Sequence, residues 1–172
     1  MCMCNGHVKE LSYQYISLVR PLLEYATAAW DLYTSCNIKD IEMVQRRAAR
    51  YVKRDYQRTT SVTSLLDSLH WQSLQDRRQN ARLLHFFKAL HGYQGLSQLV
   101  NDLPRPTRLT RSSCVDVVAF SQLPCRTDVF KFSFLPRTVI DWNSLDTGVR
   151  GLSSLESFRQ ALVGGRSAAT SY

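Results

Sequence analysis

No two acidic residues stand side by side anywhere in this chain of 172 residues. Two-metal chemistry, such as template-directed polymerisation, needs carboxylates gathered around a pair of ions. The nearest approach is Asp40 and Glu42, two positions apart on a predicted helix, where their side chains leave on different faces. No apolar run approaches the roughly 20 residues that span a bilayer. The first residues, MCMCNGHVKEL, carry no apolar signal region and no small-residue cleavage site, so an intracellular location, cytoplasmic or nuclear, is expected. Cysteine is scarce and odd in number: Cys2, Cys4, Cys36, Cys114 and Cys125 give no disulfide framework, and reduced thiols are expected. Cys2, Cys4 and His7 supply at most three ligands without the usual pair-plus-pair spacing, so no metal site is assigned. The four histidines, His7, His70, His85 and His91, stand in no nucleophile motif. His70 beside Trp71 reads as a helix-end or packing residue, and His85 amid Leu84, Phe86 and Phe87 as partly buried. No catalytic residue and no cofactor are assigned.

What is present is apolar material and positive charge. Hydrophobic residues make up 44% of the chain, enough for one ordinary domain or two small ones. Lys and Arg number 22 against 14 Asp and Glu, a net charge of +8 that favours an acidic partner such as nucleic acid. The pattern predicts a mainly α protein. An N-terminal bundle of about four helices occupies 1–91, a linker 92–108, a mixed loop-rich part with short strands and one or two short helices 109–163, and a disordered tail 164–172.

The first helical pattern uses Leu11, Ile16, Val19, Leu23, Ala26 and Trp30, with a kink or two abutting helices at Pro21. A second helix is expected after Asn37 as its N-cap, with an apolar stripe of Ile38, Ile41, Val44, Ala48, Tyr51 and Val52. A third covers 62–69, starting near Thr60 or Ser61. A fourth runs from Ser73 to about His91, opened by a capping box of Ser73 and Asp76 and ended before Gly92. Pro104 and Pro106 mark the linker. Residues 115–120 and 129–134 read as strands, the second alternating cleanly as Val129-Phe130-Lys131-Phe132-Ser133-Phe134. Pro136 is expected to open a helix as its first residue, and a last amphipathic helix spans 154–163.

Two basic stripes draw attention. Arg46, Arg47, Arg50, Lys53 and Arg54 fall within nine residues, at spacings that align much of the charge along one side of a helix. Arg78 and Arg82, with Arg77, repeat this less densely. Such stripes neutralise phosphates and give salt-dependent, sequence-independent binding to RNA or DNA backbone. Tyr51 and Tyr56 lie close enough to stack on bases or to face the core. The competing reading is a solvated face with local ion pairs, such as Glu42 with Arg46. Arg77 shares a helical side with Ala81 and Leu84, where a lone charge is costly; Glu24, itself among apolar neighbours, is its expected partner. In 133–145, Phe134, Ile140 and Trp142 read as core anchors and Asn143 as a local backbone-bonding residue.

Four segments, VRPLLEYATAAW (19–30), IEMVQRRAARYV (41–52), LQDRRQNARLLHFFKAL (74–90) and SFLPRTVIDWNSL (133–145), occur in an order that resembles the C-terminal region of non-LTR, LINE-type, jockey-like retrotransposon reverse transcriptases. The resemblance covers about 8–158. It implies a helical region following the palm and thumb of an RNA-directed DNA polymerase, holding template or target nucleic acid or packing on the polymerase domain. It carries over no catalytic residues, and the palm, the endonuclease and their metal-binding acids have no counterpart here. The expectation is a truncated copy of such an element, inactive alone, with apolar surface exposed where the missing thumb would pack. The alternative is a helical protein-interaction module or packing scaffold with no nucleic-acid role.

Overall fold

The computed structural model describes residues 4–27, 31–93, 97–106 and 119–164. Their regular secondary structure is helical, with no strand among the described residues. The chain divides into two units, one of Met1–Thr27 with Leu32–Arg78, the other of Ala28–Asp31 with Gln79–Tyr172.

In the first unit, α1 (Cys4–Gln14) runs into a π-helical turn (Tyr15–Val19) and then α2 (Arg20–Glu24). Pro21 sits in the first turn of α2, where its missing N–H costs no intrahelical bond, so two abutting helices form as expected. The π turn widens the helix by about one residue per turn and re-aims the chain entering α2. Tyr15 is buried as a result, while Ile16 and Val19, two members of the expected stripe, are exposed. Next, α3 (Ser35–Lys53) starts after Thr34, three residues earlier than the expected cap at Asn37 would place it. It ends at Arg54, whose left-handed backbone (φ 53°) lets its N–H return to the carbonyls of Arg50 and Tyr51. Then α4 (Val62–Ser68) begins where expected, behind Ser61.

The core of this unit is Tyr15, Ala49, Val52, Leu65 and Trp71, with Val8, Leu11, Ala48, Leu66 and Leu69 packed around it. Tyr15 and Trp71 stack with ring centroids 4.4 Å apart. The buried stripe of α3 is turned from the expected one: Gln45, Ala49 and Val52 face inward, whereas Val44 and Tyr51 are exposed. Gln45, wholly buried, explains the turn. Its amide donates to the Gln72 carbonyl (2.8 Å) and its oxygen accepts from the Tyr15 hydroxyl (3.2 Å), so a polar side chain meets its hydrogen-bonding needs inside the core.

Next in the chain, α5 (Leu74–Leu90) is opened by Ser73, whose Oγ accepts the Asp76 N–H (3.1 Å) and donates to the Asp76 carboxylate (2.7 Å). The second unit adds α6 (Ser97–Asn101), α7 (Asp128–Lys131), α8 (Phe134–Asn143), α9 (Thr147–Arg150) and α10 (Leu155–Gly164). Its core gathers Leu83, Phe86, Phe87, Val100, Leu103, Phe120, Val139, Trp142 and Phe158. Phe87 stacks on Phe158 at 4.4 Å, and Phe86 meets Trp142 at 5.1 Å. The 92–108 stretch, expected as a linker, thus supplies Val100 and Leu103 to a core.

The expected strand at 129–134 is a correction. Thr127 caps a helical turn by accepting the Phe130 N–H, and α8 opens directly behind Ser133. Two helix starts six residues apart leave no extended segment to pair, and Val129 and Phe130 are exposed. The expected strand at 115–120 lies outside the described residues except for Ala119 and Phe120, which form no regular element. The tail is likewise outside them except for Gly164, the last residue of α10. Pro136 falls in the first turn of α8 as its third residue, not its first. Ile140, expected as an anchor, is exposed, while Trp142 is fully buried. Asn143 bonds a distant backbone rather than a local one: its side chain accepts from Phe120 N–H (3.2 Å) and donates to Phe120 C=O (2.7 Å).

Candidate nucleic-acid interface

On a helix of about 3.6 residues per turn, the inward side chains Gln45, Ala49 and Val52 leave Met43, Arg47 and Arg50 near the opposite side of α3, with Lys39, Arg46 and the half-buried Lys53 along one flank. Arg46 and Arg47 are exposed, and with Lys53 they make no hydrogen bond or ion pair among the described residues. The expected Glu42–Arg46 pair is not formed, because the Glu42 carboxylate accepts the Gln75 backbone N–H instead (2.9 Å). From 43 to 60 the chain carries six cations and a single carboxylate, Asp55, whose oxygen accepts from the Gln57 N–H. Five of the net +8 charges therefore lie in 18 residues.

Not every arginine of the expected stripe is free for a ligand. Arg50 is half-buried and its guanidinium donates to the carbonyls of Asp55 (3.4 Å), Gln57 (2.9 Å) and Thr60 (3.5 Å), binding the loop that leaves α3. Arg54 Nη2 meets His7 Nε2 at 2.6 Å.

Arg78 and Arg82, expected among the phosphate contacts, are a correction. Both are buried, at 4% and 2% exposure. Arg78 donates to the Leu23 carbonyl (2.5 Å). Arg82 pairs with Asp31 and with Asp141 (2.6 Å), and Arg137 reaches Asp31 as well (3.0 Å). Burial pushes the pKa values of Arg82 and Arg137 downward; Asp141 opposes that shift in both. A spacing of three or four residues aligns side chains on one side of a helix but does not say whether that side meets solvent. Arg77 and Glu24 do pair as expected, Nη2 to Oε2 at 3.0 Å, and the hydrogen bond to Glu24 holds the Arg77 pKa above its ordinary value.

No protein-family model, curated protein or solved structure matches this chain. The candidate surface therefore rests on its own chemistry. Among the described residues no three His, Cys, Asp or Glu side chains cluster as metal ligands would, and no helix is long and apolar enough to cross a membrane.

Sequence reasoning missed two features. Lys39 extends the basic face toward the start of α3. Arg20 lies 5.5 Å from the ring centres of both Tyr15 and Trp71, a cation–π arrangement that no local spacing announces. Burial, then the neighbouring Arg77 charge, lowers the Arg20 pKa.

Proposed function

We propose that this chain is a non-catalytic, accessory nucleic-acid-binding region of the retrotransposon reverse-transcriptase type, acting on RNA or DNA backbone through the outward face of α3. The observation that carries this reading is the segment 43–60, with six cations, one carboxylate, and Arg46, Arg47 and Lys53 unpaired among the described residues. Cations that neutralise no protein carboxylate are available to displace counterions from a phosphate chain. The order of the four sequence segments supports the origin, and the lack of adjacent acids supports a binding role over a polymerising one. The polymerase domain of a parent protein would be the natural neighbour.

Substituting Arg46→Glu, Arg47→Glu and Lys53→Glu together tests the reading. Affinity for RNA and for DNA should fall together, by about tenfold or more. The slope of log affinity against log salt for duplex DNA should become shallower by roughly 2 to 3. Unchanged affinity, or wild-type binding without salt dependence, would remove the phosphate-binding role.

A protein-binding role is favoured by a different observation. Tyr13, Leu18, Leu22 and Tyr25 on the N-terminal helices are 68–74% exposed, an apolar surface of the kind that packs on another domain.

A further inference from the structure

The basic face is not uniformly charged. Tyr51, expected in the apolar stripe of α3, and Tyr56, expected near the cations but able to face the core, are 58% and 66% exposed. Neither makes a hydrogen bond or ring contact among the described residues. Tyr51 comes one helical turn after Arg47 and precedes the Arg54 cap by three residues; Tyr56 lies between Arg54 and Arg58. The backbone carrying Tyr56 is tied on both sides, since Arg50 donates to the carbonyls of Asp55 and Gln57. Other exposed tyrosines, such as Tyr13 and Tyr25, belong to the apolar surface of the N-terminal helices instead. Tyr51 and Tyr56 thus set two exposed π faces beside Arg47 and Arg58, cations with no protein partner among the described residues.

We propose that Tyr51 and Tyr56 make this face selective for single-stranded nucleic acid, the rings stacking on unpaired bases while the neighbouring arginines hold phosphates. The inference rests on the phosphate-binding reading of the same face. Its physical basis is that a duplex keeps its base faces stacked internally and shows only edges in its grooves, whereas a single strand offers every base face to an aromatic ring. Cations alone would favour the duplex, whose charge density is higher. The rings reverse that order.

The test measures anisotropy of a labelled oligothymidylate and of a labelled duplex of equal length, each bound by the full chain over a salt series. The wild type should bind the single strand more tightly. Tyr51→Leu with Tyr56→Leu should lower single-strand affinity by about fivefold or more per ring, leave duplex affinity and salt slope in place, and so abolish the preference. Tyr51→Phe with Tyr56→Phe, which keeps the ring and loses the hydroxyl, should retain it. Both residues are exposed, so the helical circular dichroism signal should be unchanged and serves as the folding control. Salt-dependent binding with no single-strand preference, or a preference that survives the leucine variant, would overturn the stacking role and leave the phosphate-binding reading standing. Absence of salt-dependent binding would overturn both. Equal binding of a polyglutamate of matched charge would reassign the face to an acidic protein segment.

Discussion

Two residues show how far polar groups shape the first core. Gln45 is wholly buried yet supplied with a donor and an acceptor, so it orients α3 without leaving an unmet hydrogen bond. Tyr15, at the other end of that contact, has its pKa pushed by burial from 10.0 to about 12. The raised value in the folded state means that the neutral phenol is favoured there. Its stabilising contribution is complete below pH 10 and is lost as the pH climbs from 10 toward 12. An alkaline titration followed by phenolate absorbance should show one tyrosine ionising later than the rest. Tyr15→Phe should remove that late step; a single unresolved wave in the wild type would contradict the assignment.

At the scale of elements, arginines on α5 act as ties rather than as ligand contacts. Arg82 reaches Asp31 and Asp141, and Arg137 on α8 also reaches Asp31, so two cations and two anions share a largely dry site in the second unit. Such a site gives no large net gain over apolar packing, but breaking it strands a buried carboxylate. Arg82→Ala should lower stability by roughly 3 to 5 kcal/mol in urea unfolding, with the Asp31→Leu, Arg82→Met pair recovering much of the loss. An Arg82→Ala cost within experimental error of zero would show that the cluster is not a structural tie. The sequence made some of this legible. Opposite charges at Glu24 and Arg77, each on an otherwise apolar side, announced their pairing, and Ser61, Ser73 and Asp76 announced the starts of α4 and α5. Three features escaped for physical reasons. Thr127 overrode the alternation of 129–134 by capping a turn. The π turn shifted the stripe of the N-terminal helices. The buried side of α5 depends on tertiary packing that no local spacing encodes, and so Arg78 and Arg82 read as solvent-facing.

Taken as a whole, the chain concentrates its charge in one stretch and its apolar mass in two cores. The candidate site was legible as a run of cations, but not as a division of labour within it: Arg46, Arg47 and Lys53 stand free among the described residues, while Arg50 and Arg54 are engaged with the protein. Under the accessory role proposed, the purified chain should add no nucleotide to an annealed primer under conditions where a complete reverse transcriptase does. Incorporation above background would refute the non-catalytic reading.

The Arg50 clamp also bears on how fast the chain meets a partner. A loop held by three carbonyl bonds is ordered before any encounter, so little conformational freedom remains to be lost when a strand arrives. Capture then requires no search by the loop, and its rate is set by diffusion and long-range attraction instead.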